Sequence, residues 1–211
     1  MPHFTKTDFP VDNVRRLLEP GPIVLVSSAH KNETNIMTMG WHMVVEFQPS
    51  LISCVISSAN HSFEMIRKSR QCVINVPTVD LASTVVKIGN CSGRDVDKFA
   101  EFDLTPAPAT QVRAPLIDEC YASFECELAD ASQITKYNMF IFEVVQAHVA
   151  TAPKYPNTIH YRRRRVHDLG REHKALSQAV PAGDVVSLRT RFARLAPLFP
   201  LAPPFAARGS G

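Results

Sequence analysis

Between residues 23 and 56 three extended runs follow one another with no room for a crossover between them. Ile23–Ser28 reads as a buried strand, His30–Asn35 as a polar turn, and Ile36–Phe47 as a second extended run that Pro49 ends. Leu51–Ile56 is a third strand. A parallel pair needs a connection of about a dozen or more residues, which these turns do not supply, so the neighbours are expected to pair antiparallel. Three later runs share this character: Cys72–Val76 closed by Pro77, Ala122–Leu128, and Met139–Val149. Short helices separate them, at Phe63–Lys68 with Ser62 as N-cap, at Leu81–Ile88 and at Val96–Phe102. Another, Val14–Leu18, precedes the first strand, with Asp8, Asp12 or Asn13 to cap it and Pro20-Gly21-Pro22 to stop it. Residues 103–118 carry Pro106, Pro108 and Pro115 and read as a wrapping loop. The expected fold class is mostly β, a largely antiparallel β-barrel with short helices.

The 211 residues suffice for one domain with a real core and room for an appendage. No segment approaches the roughly 20 apolar residues that span a bilayer, and the first residues do not read as a secretory signal. Five cysteines, Cys54, Cys72, Cys91, Cys120 and Cys126, fall at irregular spacing, several inside strands, which suits reduced thiols and a cytoplasmic protein. The net charge of +3 hides an asymmetry. Residues 1–161 hold 13 Lys and Arg against 17 Asp and Glu, and residues 162–211 hold 10 against 3. The body is mildly acidic and the basic excess sits in the tail, so the whole-chain charge is no sign of a nucleic-acid partner. There is no CxxC pair, HExxH, GxSxG or P-loop, which leaves zinc, serine-hydrolase and nucleoside-triphosphatase chemistry without support. His42 and His148, on strands, read as structural histidines; Glu46 and Glu143 could be paired or solvated.

Six segments in order carry a resemblance. They are Pro20-Gly21-Pro22-Ile23-Val24-Leu25-Val26, Met37-Thr38-Met39-Gly40-Trp41, and Ile56-Ser57-Ser58-Ala59-Asn60-His61-Ser62. Then come Val73-Ile74-Asn75-Val76-Pro77, Ser92-Gly93-Arg94-Asp95-Val96-Asp97-Lys98-Phe99, and Tyr155-Pro156-Asn157-Thr158-Ile159-His160-Tyr161. Together, over roughly residues 8–161, the chain resembles the flavin reductase and flavoredoxin family. The resemblance implies an FMN-binding split β-barrel, a homodimer with FMN near the subunit interface, and NADH or NADPH as electron donor. It also allows a partner oxygenase or another electron-transfer partner, and a flavoredoxin-like carrier or a non-catalytic FMN-binding dimer as alternatives.

The cofactor's chemistry assigns expected roles. A phosphate needs clustered donors, best at a helix N-terminus. Ser57, Ser58, His61 and Ser62 follow a strand and open a helix, and Lys98 adds a point charge if the loop around Ser92-Gly93 folds over the same corner. The plainer reading is that Ser62 only caps its helix and Lys98 is solvated. Met37, Thr38, Met39, Gly40 and Trp41 would run along the flavin ring, with backbone amides reading its polar edge and Gly40 allowing close approach. Trp41 could equally be core. Asn75 either orients a polar group or makes a turn. No acid, base or nucleophile is required of a side chain, since the cofactor carries the chemistry.

The tail departs from this pattern. Where the family commonly continues Arg-Gly-Asp-Gly-Val-Phe-Met-Ile-Ser-Gly, this chain has Arg162-Arg163-Arg164-Arg165-Val166-His167-Asp168-Leu169-Gly170. A coding run for the former, with two bases removed from its first codon, translates as the latter. Residues 162–211 are therefore read as a basic, Pro- and Ala-rich tail produced by a frameshift, and residues 1–161 as the cofactor-binding domain. Rival readings are an arginine patch for phosphate or nucleic acid, without interleaved aromatics, and a natural amphipathic tail with a helix at Val185–Ala196. Sequencing the source gene tests the frameshift, and an intact frame shared by close relatives would overturn it.

Overall fold

The computed structural model describes residues 4–14, 21–162 and 165–167. Its strands are β1 (Lys6–Asp8), β2 (Val24–His30), β3 (Glu33–Met39), β4 (His42–Glu46), β5 (Leu51–Val55), β6 (Gln71–Val76), β7 (Pro106–Ala107), β8 (Leu116–Ile117), β9 (Ala122–Asp130), β10 (Met139–Ala150), β11 (His160–Arg162) and β12 (Arg165–His167). The α-helices are α1 (His61–Ser69), α2 (Ala82–Asn90), α3 (Lys98–Glu101) and α4 (Ile134–Tyr137). The main sheet runs β3-β2-β6-β9-β10-β5-β4, with β1 added to β10, and every pairing in it is antiparallel. The two strands that end this path, β3 and β4, are consecutive in the chain and separated only by Gly40 and Trp41. The sheet must therefore curl until its two edges nearly meet, without a ladder between them. That is a split barrel.

The second extended run breaks where the sequence alone shows no stop. A Cβ on Gly40 would lie 2.9 Å from Ile23 Cδ1, so a larger residue here would have to push aside the end of that side chain. Past it, the Trp41 carbonyl accepts from Val55 N at 2.9 Å, and His42 Nε2 meets the Pro22 carbonyl at 2.8 Å. These bonds start β4 on its new course. The His30–Asn35 turn is narrower than expected: β2 and β3 run on until only Lys31 and Asn32 remain, with Lys31 in the left-handed region at φ 56°. Strand β10 pairs with β9 on one edge and with β5 and β1 on the other, and two register shifts along the β9 ladder let its 12 residues bend.

Alternation along β2 and β3 assigns two faces. Val24, Val26, Met37 and Met39 join the barrel core with Phe63 and Ile66 of α1, where Phe140 stacks on Phe142 at 5.8 Å and meets Phe63 edge-on at 5.4 Å. On the opposite face Thr38 Oγ1 donates to the Val85 carbonyl of α2 at 2.7 Å. The wrapping loop is held by buried polar groups. Glu119 accepts from Thr105 N through both oxygens, and Glu125 accepts from Thr110, Gln111 and Val112. Asn75 makes no turn; it sits fully buried inside β6, donating to Leu25 O, Ser27 Oγ and Val73 O and accepting from Ile117 N and Ser123 Oγ. Burial pushes the Cys54 and Cys120 thiols up, and a hydrogen bond with Cys126 followed by burial raises that of Cys72, which makes all three poor nucleophiles. Residues 15–18 of the first expected helix, and residues 168–211 of the tail with its Val185–Ala196 segment, lie outside the described residues. The hairpin of β11 and β12 spans the 161/162 boundary, pairing Tyr161 with Val166.

Candidate functional site

Because β3 ends the sheet path, alternate residues along it aim N–H and C=O away from β2, at the open side of the barrel. Its side chains are committed elsewhere. Met37 and Met39 are buried in the core and Thr38 is bonded to α2. The Met37–Trp41 run thus offers a polar backbone edge. Trp41, which the sequence left between core and site, is 69% exposed and is not core. With Met43 and Val45 it forms an exposed apolar stripe on one face of β4.

A second feature lies at the start of α1. The sequence pointed to Ser62 as the cap, but the N-cap is Asn60, and its side chain makes no capping bond. The first-turn N–H groups are therefore left without a side-chain acceptor, a natural place for an anion. Around them stand Ser57, whose Oγ accepts from Ala59 N at 3.3 Å, exposed Ser58, and His61, whose Nε2 is 4.0 Å from Glu33 Oε2. Ser62 is buried and its Oγ accepts from Asn35 Nδ2 at 2.8 Å.

The Ser92–Arg94 turn reaches the same corner. Ser92 Oγ accepts from Arg94 N, the Ser92 carbonyl accepts from Asp95 N and Val96 N, and Arg94 Nη1 approaches the Ala59 carbonyl at 3.5 Å. Gly93 lies against Asn35, where a Cβ would overlap Oδ1. Lys98 is buried rather than solvated. Its Nζ donates to the Ile88 carbonyl near the C-terminus of α2 at 3.0 Å, and burial lowers its pKa. The structure thus brings Ser57, Ser58, His61, Ser62 and Ser92 to one corner, and ties Lys98 to the helix just before the turn. Sequence reasoning missed Asn35, assigned to a turn, and Arg94, inside a segment already singled out. Asn35 Oδ1 is a buried side-chain atom without a hydrogen-bond partner, a defect that costs about 1–3 kcal/mol when nothing satisfies it.

This donor set fits a phosphate monoester: hydroxyls, helix-start amides without a side-chain cap and a guanidinium, beside a strand edge suited to a flat heteroaromatic ring. The flavin reductase like domain family matches residues 15–170. An uncharacterized protein of Pyrococcus abyssi is 30% identical over 130 residues, 62% of this chain and 74% of that protein. Among solved structures, an FMN-binding domain of a flavin reductases-like enzyme from Shewanella baltica superposes with a TM-score of 0.74 at 24% identity, covering 83% of this chain and 100% of that one. The flavoredoxin of Desulfovibrio vulgaris gives a TM-score of 0.66 at 24% identity over 76% of this chain and 93% of its own. With an antiparallel barrel split between β3 and β4 and a family match over most of its length, the chain belongs to the flavin reductase-like domain family of FMN-binding split barrels.

Proposed function

We propose that the protein is an FMN-dependent oxidoreductase, working in the cytoplasm as an NAD(P)H:flavin reductase that delivers electrons to a flavin or to a partner oxygenase. The observation that carries this reading is the convergence of the Ser57–Ser62 segment and the Ser92–Arg94 turn at an uncapped helix start, next to the free edge of β3. Ser57, Ser58, Ser62, Ser92 and Arg94 would hold the phosphate, with His61 and Lys98 behind them. The β3 backbone from Met37 to Gly40 would face the ring edge, and Trp41 would lie beside it. Bound FMN supplies two-electron chemistry between a nicotinamide donor and an acceptor. The protein's part is to orient the ring and leave one of its faces open.

The absorption spectrum of the purified protein, recorded before and after NADH and then NADPH, tests this. Flavin bands that bleach on either addition are expected. A protein that takes up no FMN would overturn the cofactor assignment. Bands that stay oxidised would favour the second reading, a flavoredoxin-like carrier served by another reductant. In either role the β4 stripe of Trp41, Met43 and Val45 supports a homodimer, since an apolar edge-strand face in water favours association. Met43→Glu should shift sedimentation from dimer towards monomer; a wild-type protein that sediments as a monomer would refute the dimer. The division into residues 1–161 and a basic tail stands as part of the same proposal. No helix among the described residues is long and apolar enough to cross a membrane.

A further inference from the structure

We infer that Asn35 is a positioning residue for phosphate recognition: its amide locks the Ser92–Arg94 turn against the start of α1 and sets Ser62 as a hydrogen-bond donor. The inference rests on reading this corner as the FMN phosphate site.

Asn35 lies on β3 opposite Ser28 of β2, with only 3% of its surface exposed. Its Nδ2 donates to Ser62 Oγ at 2.8 Å. That bond occupies a lone pair of the serine and leaves the hydroxyl hydrogen to be directed elsewhere. Ser62 is the second residue of α1, so its hydroxyl stands beside the first-turn amides, of which Phe63 N is taken by the Asn60 carbonyl at 3.1 Å. Held this way, it adds an O–H donor to the N–H donors already facing an anion. Were Ser62 to donate to residue 35 instead, the same oxygen would turn a lone pair towards the phosphate and repel it.

The other half of the amide faces the turn. Oδ1 has no hydrogen-bond partner, and a Cβ on Gly93 would overlap it and come within 2.5 Å of Asn35 Cγ. Gly93 has no φ in the left-handed range, so its backbone does not demand glycine; the close approach to Asn35 does. One side chain therefore touches both walls of the corner. It fixes how far the turn carrying Ser92 and Arg94 can close over the Ala59 carbonyl.

The test measures FMN and riboflavin affinities side by side, because the two ligands differ only in the phosphate. Wild type should prefer FMN. Asn35→Ala should weaken FMN about 10- to 50-fold while leaving riboflavin within about twofold, the size expected for losing one well-oriented donor to a charged group. Asn35→Asp, which cannot donate to Ser62 and adds a negative charge, should lose more. Gly93→Ala, on the turn rather than in the core, should weaken FMN by itself. Asn35→Ala added to Gly93→Ala should cost less than the two separate losses combined, because the methyl group then has space. A purely structural role for Asn35 would lower both affinities in proportion, and that result, or strict additivity of the two changes, overturns the inference. A wild type that binds FMN and riboflavin equally well refutes the phosphate corner itself and the inference with it. A wild type that binds neither refutes the cofactor assignment.

Discussion

Glu125→Ala should lower the unfolding free energy at pH 7 by about 3–5 kcal/mol, the range seen when one partner of a buried charged network is removed. The Glu125 side chain is fully buried. It accepts from Thr110 N at 2.9 Å, Thr110 Oγ1 at 3.0 Å, Gln111 N at 2.6 Å and Val112 N at 3.1 Å, and it meets His148 Nε2 at 2.7 Å. Alanine would strand three backbone amides and an imidazole under the wrapping loop. Each such bond to a charged group contributes about 1.5–3 kcal/mol, but they share one acceptor and water can enter behind the loop, so the total falls short of their sum. Glu125→Gln keeps an acceptor oxygen and should cost less, about 1–3 kcal/mol. The pH dependence has a definite sign. Burial raises the Glu125 pKa, but the bonds from Thr110, His148 and Gln111 outweigh it, and the net value is below the ordinary carboxylate range. A depressed carboxyl stabilises the fold above its unfolded pKa, about 4.3, and loses that contribution as the pH falls through its folded value. Denaturant unfolding at pH 7 and pH 3.5 should therefore show the gap between wild type and Glu125→Gln shrinking in acid. A gap under 1 kcal/mol at pH 7 would mean that the loop is held by its apolar contacts through Val112, Ala114 and Leu116 instead.

The strands around this loop were legible in the sequence because each buries a continuous apolar run, and short turns force such runs to pair antiparallel. What the sequence concealed depends on partners far along the chain. Asn75 looks like a strand-end turn residue, yet its bonds reach Leu25, Ile117 and Ser123. Glu125 has no local signature either, because its donors come from a loop about a dozen residues upstream. Strand β1, three residues long, was not seen; it is fixed by its pairing with β10 and by Lys6 Nζ donating to the Ile117 and Asp118 carbonyls. The close approach of Gly40 to the Ile23 side chain comes from the pairing of β2 with β3, not from anything adjacent in sequence. At the candidate site, residue types were legible where the chemistry is local, as in the serines before α1. Asn35 was hidden because a polar residue near a turn is ordinarily solvated, and this one is buried in a strand.

Arg94→Ala should weaken FMN binding by about 10- to 100-fold, the loss expected when a guanidinium leaves a phosphate oxygen. The other basic side chains of the corner are constrained. His61 stands 4.0 Å from Glu33, and the Lys98 amine is buried and donates to the Ile88 carbonyl. Arg94 carries a permanent charge on an exposed side chain that already leans across the Ser57–Ser62 segment to within 3.5 Å of the Ala59 carbonyl. Its contribution is partly long-range and exposed, so the wild-type advantage should shrink between low and high salt. Arg94→Lys should recover only part of the affinity, because a point charge cannot engage two phosphate oxygens as a planar fork does. Lys98→Met separates two roles for that lysine. If its amine serves only the end of α2, stability falls while FMN affinity holds; if its remaining protons reach the phosphate, both fall together. Titration of flavin fluorescence with each variant at two salt concentrations decides among these. Unchanged FMN affinity in Arg94→Ala would place the phosphate away from the Ser92–Arg94 turn and leave the α1 amides and serines to bind it alone.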